Sequence, residues 1–455
     1  MRQRGRPGWR DWTTVFLLAG AAAWPGGRAF AAGFAIYEQS VKGLGNAFAG
    51  GAASADDPST IFYNPAGMTL LKGQQAAVGV HFIQTHFEFD NDGSTHALTP
   101  ITGQGLTGDN GGDGGTLGIV PNAYYSANLD NGWAFGLGIN APFGLVTDWD
   151  DGWVGRYHAL KSDVLTVNIN PSAAYRVTRN LSVGAGFNAM YMHAELSQAV
   201  DFGTGLVAAG GVPQDPNWDG KATLKADDWA FGYNLGAIWE FTPDTRAGIH
   251  YRSRVKQELE GDADFDVPSQ VQAILGALGS SQFQNTDASG DITLPDSLSF
   301  SLFHRYNPKL AVMADATWTH WATFDELVIK FDNPDQDPSV TTENWKNTWR
   351  LALGATYNPI PEWPLRLGVA YDESPVPDPE HRTPRLPDND RLWLSLGTGY
   401  QVAEWFSFDV GYTHLFVEDA KVDKDPVGED EPRGGLKGNF TNSGDIFSAQ
   451  ANFRW

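Results

Sequence analysis

Trp229-Ala230-Phe231-Gly232-Tyr233-Asn234-Leu235-Gly236-Ala237-Ile238-Trp239 is the stretch whose reading decides the fold class. Residues 229, 231, 233, 235, 237 and 239 are apolar and mostly large, while those between them are mostly small or polar. A period of two belongs to a β-strand, whose successive side chains point to opposite faces. The two tryptophans lie ten residues apart. At roughly 3.3 Å per residue and a tilt of about 45°, that is about 23 Å along a bilayer normal. The aromatic girdles of an outer-membrane barrel flank an apolar band of roughly 25 Å. A strand of a soluble sandwich rarely runs so long with aromatics at both ends.

The same alternation recurs along the chain. Trp133, Phe135, Leu137 and Ile139 alternate with Ala134, Gly136, Gly138 and Asn140, and comparable runs surround Phe187, Leu351 and Phe408. Fourteen segments are predicted, near 75–89, 119–129, 132–141, 163–176, 180–196, 227–241, 244–259, 291–305, 310–330, 347–358, 364–372, 391–401, 405–419 and 444–455. An even count returns both termini to the periplasmic side. Short turns such as Asp130-Asn131-Gly132 and Thr242-Pro243-Asp244 alternate with long loops near 90–118, 142–162, 197–226, 260–290, 331–346, 373–390 and 420–443. That asymmetry is the one between periplasmic turns and external loops. The expected fold is all-β, a 14-stranded antiparallel transmembrane β-barrel over residues 75–455. Its last strand ends on Phe453 and Trp455. An alternating strand with a terminal aromatic resembles the signal read by outer-membrane assembly machinery, which makes that machinery an expected partner.

Composition narrows function. The 455 residues include no cysteine, 52 Gly and 17 Trp, and only 19% are charged. Without cysteine there are no disulfides, thiolate nucleophiles or Cys-ligated metal sites; no metal or other cofactor is expected. Lys and Arg total 31 against 54 Asp and Glu, a formal charge of −23. Nucleic acid, which needs clustered cations, is thereby a poor partner. At the N-terminus, Arg2, Arg4, Arg6 and Arg10 precede the short apolar run Trp12–Trp24 and an Ala29-Phe30-Ala31 cleavage pattern. Residues 1–31 read as a signal peptide, and removing their five Arg and one Asp leaves 26 basic against 53 acidic residues, a net of −27. Acidic external loops such as Glu429-Asp430-Glu431 are solvated, or bridge to lipopolysaccharide through divalent cations. The barrel is expected to work as a monomer.

A fourteen-stranded barrel falls between those filled by side chains and those with open channels. Residues 32–74, with 18 Gly, Ala or Ser in 43 positions, read as a plug in the lumen. The segment Ala32–Met68 resembles the N-terminal hatch of the FadL family of outer-membrane transporters for hydrophobic compounds. The resemblance rests on Ala32-Gly33-Phe34, Gln39-Ser40, Gly43-Leu44-Gly45, Ala47, Asp56 and Asn64-Pro65-Ala66, with further similarity at 138–145, 186–189 and 251–253. It implies passive uptake of long-chain fatty acids or, in some branches, aromatic hydrocarbons such as toluene. It places Ala32, Gly33 and Phe34 beside an internal ligand pocket and makes Asn64, Pro65 and Ala66 the hatch motif. A kinked third strand, corresponding here to Asn140, Ala141, Pro142, Phe143 and Gly144, would open the wall sideways. Proline without a donor and glycine without a side chain both weaken a ladder there.

Two further groups of candidates come from the residues. Val271, Ile274, Leu275 and Leu278 fall on one face of a short helix in the fourth loop. With Phe202, Leu206 and Val207 of the third loop they offer an external greasy groove, where the family has its first binding site. On the seventh strand, Arg246, His250, Arg252, Arg254 and Lys256 alternate with apolar residues and are expected to face the lumen. That column fits either a ligand carboxylate or an anchor for Glu38, Asp56 or Asp57 of the hatch. The competing classes are weaker: a lipolytic enzyme needs a Ser/His motif that the scattered histidines do not supply, and an adhesin needs no hatch.

Overall fold

The computed structural model describes residues 33–455, so the signal peptide expected at 1–31, and Ala32, lie outside the described residues. Fourteen antiparallel strands close into a barrel. In chain order they are Gln74–Asn91, Leu117–Asn128, Trp133–Asn140 continued by Gly144–Asp148, Lys161–Arg176, Leu181–Asp201, Asp219–Thr242, and Thr245–Arg252 continued by Val255–Asp266. There follow Thr286–Leu294 continued by Ser297–Asn307, Leu310–Thr319 continued by Glu326–Phe331, Ser339–Thr342 continued by Thr348–Ile360, Trp363–Asp372, Arg391–Ala403, Phe406–Val417 and Lys437–Arg454. The first pairs with the last from Gln75↔Arg454 to Asn91↔Gly438, which leaves no sheet edge along the seam.

The alternation that predicted the strands sorts them across the wall. On the sixth strand Trp229, Phe231, Tyr233, Leu235 and Trp239 all face outward, each about half exposed. With no water in the bilayer core, a closed ladder is what satisfies the backbone of such a span. The fifth and sixth strands pair as far as Asp201↔Asp219, beyond the limits read from sequence at 196 and 227. Past Trp229 the ladder carries Asp227, Lys225, Thr223 and Lys221, a solvated ribbon with no continuous apolar face to mark it.

Residues 33–73 fill the lumen as short helical turns: Val41–Gly45, Gly51–Ser54 and Thr60–Tyr63, then a 3-10 turn at Pro65–Leu70. The hatch lies close enough to the wall that glycine is required on the facing strands. A Cβ at Gly248 would sit 1.9 Å from the Ala52 carbonyl oxygen, and one at Gly236 would sit 1.9 Å from Asn64 Oδ1. Lys42 pairs with Asp57 at 3.5 Å, and Gln450 Nε2 of the last strand donates to Asp57 Oδ2 at 2.8 Å. Burial alone would raise the Asp57 carboxyl; Lys42, the Ser59 hydroxyl and N–H, and Gln450 outweigh it and hold it below its ordinary value.

Three local expectations fail, each for a backbone reason. The third strand, expected to end at Ala141, breaks over Ala141–Phe143 and resumes at Gly144–Asp148, inside what reads as an external loop. The ninth strand is not continuous from 310 to 330, because a 3-10 turn at Trp321–Thr323 carries it inward. The seventh strand breaks at Ser253–Arg254, where the Ser253 hydroxyl accepts from Tyr233 N–H at 2.9 Å, taking the place of a ladder carbonyl. The break inverts the parity of the strand. Before it His250 and Arg252 face inward; after it Val255, Gln257 and Leu259 do. Arg254 and Lys256 therefore point outward, with side chains 53% and 54% exposed, and the expected five-residue lumen column is a three-residue one. Outside, Arg254 pairs with Asp296 at 3.1 Å, and Lys256 with Glu258 at 2.7 Å.

Candidate functional site

Above the hatch lies an apolar cavity. Leu145, Val164, Met192, Leu224, Leu259 and Ile292 are among its walls, and Phe34 is at its floor. The Phe34 ring sits in an aromatic collar, 4.9 Å from Trp321, 5.8 Å from Trp345, 5.9 Å from Phe143 and 6.2 Å from Phe324, between ring centroids. The inward turn of the ninth strand supplies Trp321 and Phe324, the break in the tenth supplies Trp345, and the kink of the third supplies Phe143. Gly33 is required where it stands: its φ is +61°, and a Cβ would approach Trp321 Cζ2 to 2.7 Å. Its N–H donates to Asp388 Oδ2 at 3.0 Å, and Asp388 in turn pairs with Arg391 at 2.6 Å.

Arg385, from the loop between the eleventh and twelfth strands, also lines the cavity. Its guanidinium donates to Ser162 Oγ at 3.2 Å and Gln198 Oε1 at 2.9 Å, and among the described residues no carboxylate lies within ion-pair distance of it. Burial lowers its pKa to about 10, with Arg433 adding to the effect and Glu343 opposing it. Arg385, Leu196, Leu224 and Ile329 also line a wider chamber towards the external loops, so the two spaces adjoin.

The wall is incomplete beside the collar. The second strand pairs with the third only from Asn128↔Ala134 to Ala123↔Ile139, and residues 117–122 keep partners on the first strand alone. On the other flank Asn140↔Asn168 and Gly144↔Leu165 bracket three residues, Ala141 to Phe143, against two, Thr166 and Val167. The kink is thus a one-residue bulge that swings the strand inward, as bulges do. Pro121, with no N–H to offer, sits on the unpaired edge.

The hatch motif touches the wall from inside at the sixth and seventh strands. Asn64 Oδ1 accepts from Ala66 N–H at 3.1 Å, while Nδ2 donates to Ala52 O at 2.7 Å and to the wall carbonyls Ala237 O and Ile249 O at 3.1 and 3.2 Å. Pro65 opens the 3-10 turn, and Ala66 is fully buried. Of the basic column, Arg246 donates to Ser54 O at 2.6 Å and Arg252 to Phe62 O at 2.9 Å. Both clamp hatch carbonyls, and His250 is buried beside Asn234. Among the groove candidates, Phe202 and Val271 are buried in a small core shared with Val267, which two loops without other support must build. They hold the loops together instead of lining a groove. Leu206, Ile274 and Leu275 are half-buried at its rim, and Val207 and Leu278 are exposed.

Comparison with known proteins settles the ancestry of this arrangement. Residues 22–455 match the family model described as outer membrane protein transport protein (OMPP1/FadL/TodX). The chain belongs to this family. It is therefore an outer-membrane transporter for hydrophobic compounds in a Gram-negative envelope, in a family of transporters and not of enzymes. A long-chain fatty acid transport protein of Escherichia coli O6:H1 is 32% identical over 455 residues, covering 97% of this chain and 98% of that one. A crystal structure of a Pseudomonas aeruginosa FadL homologue superposes with a TM-score of 0.83 at 28% identity, over 93% of this chain and 100% of that one. The Ralstonia pickettii toluene transporter TbuX shares the fold, with a TM-score of 0.63 at 20% identity over 91% of this chain and 100% of that one.

In this FadL-family barrel three functional candidates escape a reading of the sequence. Trp321 lies in an apolar run that reads as uninterrupted strand. Arg385 sits in a loop without period, although the flanking Pro384 and Pro387 mark a rigid segment. Pro121 did carry a signal, since proline inside an otherwise central strand marks an edge.

Proposed function

We propose that this transporter takes up long-chain fatty acids, holding the carboxylate at Arg385 and the acyl chain in the cavity above Phe34. The observation that carries the choice is a half-buried guanidinium that lines an apolar pocket and has no carboxylate within ion-pair distance among the described residues. A hydrocarbon offers that guanidinium no acceptor, whereas a carboxylate supplies charge-assisted hydrogen bonds that the more distant Glu343 does not. From the pocket the ligand leaves sideways through the gap between the second and third strands into the membrane. Forcing a sixteen-carbon chain through water instead would cost on the order of 10 kcal/mol, at about 0.8 kcal/mol per CH₂. Gly33 and Phe34 form the floor that senses the ligand, Asn64-Pro65-Ala66 fixes the hatch to the wall, and the rim at Leu206, Val207, Ile274, Leu275 and Leu278 receives ligand from outside.

Aromatic hydrocarbons are the second reading. The ring collar at Phe34, Phe324 and Trp345 favours them, and the shared fold with a toluene transporter is compatible with them. Replacing Arg385→Met separates the two. A hydrogen bond to a charged group is worth about 1.5–3 kcal/mol, so affinity for palmitate should fall roughly 10- to 150-fold while that for the methyl ester of the same acid is unchanged. Equal affinity of parent and variant for both ligands would leave the hydrocarbon reading standing.

A further inference from the structure

The bulge in the third strand leaves the backbone of Ala141 to Gly144 in need of partners, because the second strand no longer runs beside it. Thr166 serves Phe143: its Oγ1 accepts from Phe143 N–H at 3.0 Å and donates to Phe143 O at 2.7 Å. The hatch serves the rest. Ile36 N–H donates to Pro142 O at 2.8 Å, and Gly144 N–H donates to Phe34 O at 2.9 Å. Ala141 is served by a side chain: its N–H donates to Gln39 Oε1 at 3.3 Å, and its carbonyl accepts from Gln39 Nε2 at 2.7 Å. One carboxamide therefore reproduces both halves of the pairing a neighbouring strand would make. Gln39 is fully buried, its Nε2 also reaches Ile36 O at 3.3 Å, and its own N–H is held by Tyr37 O at 2.8 Å and the Tyr63 hydroxyl at 3.2 Å.

We propose that Gln39 is the latch of the lateral gate, a positioning residue that stands in for the missing strand at Ala141 and ties the wall to the ligand-facing N-terminus. The inference rests on the lateral-exit reading above. Phe34, Ile36 and Gln39 belong to one short segment that makes no ladder with itself. A ligand that shifts Phe34 out of its collar carries Ile36 and Gln39 with it. Ala141 and Pro142 then lose their partners together, and buried backbone groups without partners are unstable where they are. The third strand is released from its inward tether only when the pocket is occupied. Packing alone does not give this behaviour, since a side chain of the same length without an amide would fill the space but not hold Ala141.

The chain has no cysteine, so Ala141→Cys supplies the sole thiol of the protein, and its labelling rate by a maleimide reports opening at the kink. In that background Gln39→Met should raise ligand-free labelling about tenfold or more, and oleate should no longer accelerate it. Gln39→Glu gives the readout a structural role would not move. A protonated carboxyl has one donor and one acceptor and reproduces the amide; the carboxylate only accepts and repels Ala141 O. Labelling of that variant, relative to the Gln39 parent at each pH, should be slow at low pH and rise as pH increases. The parent reference removes the titration of the thiol and of neighbouring Glu38, whose carboxyl burial pushes up to about 8. Tyr37 is pushed up to about 12 and Tyr63 well above its usual value, so both stay neutral across the range. Heat-modifiable gel migration checks that each variant keeps the barrel. Labelling of Gln39→Met at the parent rate, or a pH-independent ratio for Gln39→Glu, would overturn the latch. Labelling needs no transport. A Gln39-controlled rate in a protein whose uptake ignores the kink would keep the latch and reject lateral exit.

Discussion

Deleting Pro142 is expected to bring fatty-acid uptake down to background while leaving ligand binding in the lumen intact. The register explains why one residue suffices. Asn140↔Asn168 and Gly144↔Leu165 bracket three residues against two, so removing one lets Ala141 face Val167 and Phe143 face Thr166. A continuous third strand can then run alongside residues 117–122 of the second and close the gap. The alternative path through the hatch carries the aqueous cost of on the order of 10 kcal/mol, and each 1.4 kcal/mol is tenfold in rate, so leakage by that path is negligible. The lining of the cavity above Phe34 draws on Leu145 and Val164 but not on Pro142. Equilibrium binding to the purified deletion variant, beside uptake by cells that carry it, checks both halves of the expectation. Wild-type uptake by a correctly folded variant would place the exit elsewhere.

The second large effect is expected from Trp321→Ala. Trp321 is 1% exposed and packs on Phe34, Phe143 and Trp345, with Gly33 against its ring. Truncating a buried aromatic of this size costs about 3–5 kcal/mol. The barrel ladder does not depend on it, because Trp321 lies in the turn between Leu310–Thr319 and Glu326–Phe331. The cost falls on the docking of the N-terminal segment and on the floor of the pocket. Ligand affinity should drop at least about tenfold, and a thiol introduced by Ala35→Cys should become reactive without ligand. Trp321→Phe, which keeps a ring in the collar, should retain most of both properties. Unchanged affinity and an unreactive thiol in Trp321→Ala would mean that the collar does not hold Phe34.

What the sequence made legible follows from what repeats. The wall alternates between lipid and lumen at every strand, so fourteen segments and their outward faces could be read directly from runs such as Trp229–Trp239. Features that arise once could be read only when a residue type enforces them. Pro142 and Gly144 marked the kink because neither supports a ladder, whereas its inward direction and its hatch partners depend on residues more than a hundred positions away. The parity change on the seventh strand is hidden because a serine hydroxyl makes it, and Ser253 reads like any polar strand residue. Val271 illustrates the limit for loops: periodicity found the helix Ser269–Leu278 and its apolar stripe. It could not tell that the buried end of the stripe meets Phe202 while Leu278 stays exposed. Arg385 reaches the cavity from a loop, where nothing in local sequence records depth.

Lateral exit is the claim on which the rest depends, and photo-crosslinking tests it most directly. A long-chain fatty acid with a diazirine near its terminal methyl group, bound to the protein in membranes and irradiated during turnover, should form adducts on two sets of residues. The first is the pocket, around Phe34 and Met192; the second is the unpaired edge and the kink, at Ile119, Pro121 and Phe143. Adducts on the periplasmic side of the hatch, at Asp56, Asp57 or Ser59, without any at 119–121 or 143, would show that the ligand passes through the hatch and would contradict this account.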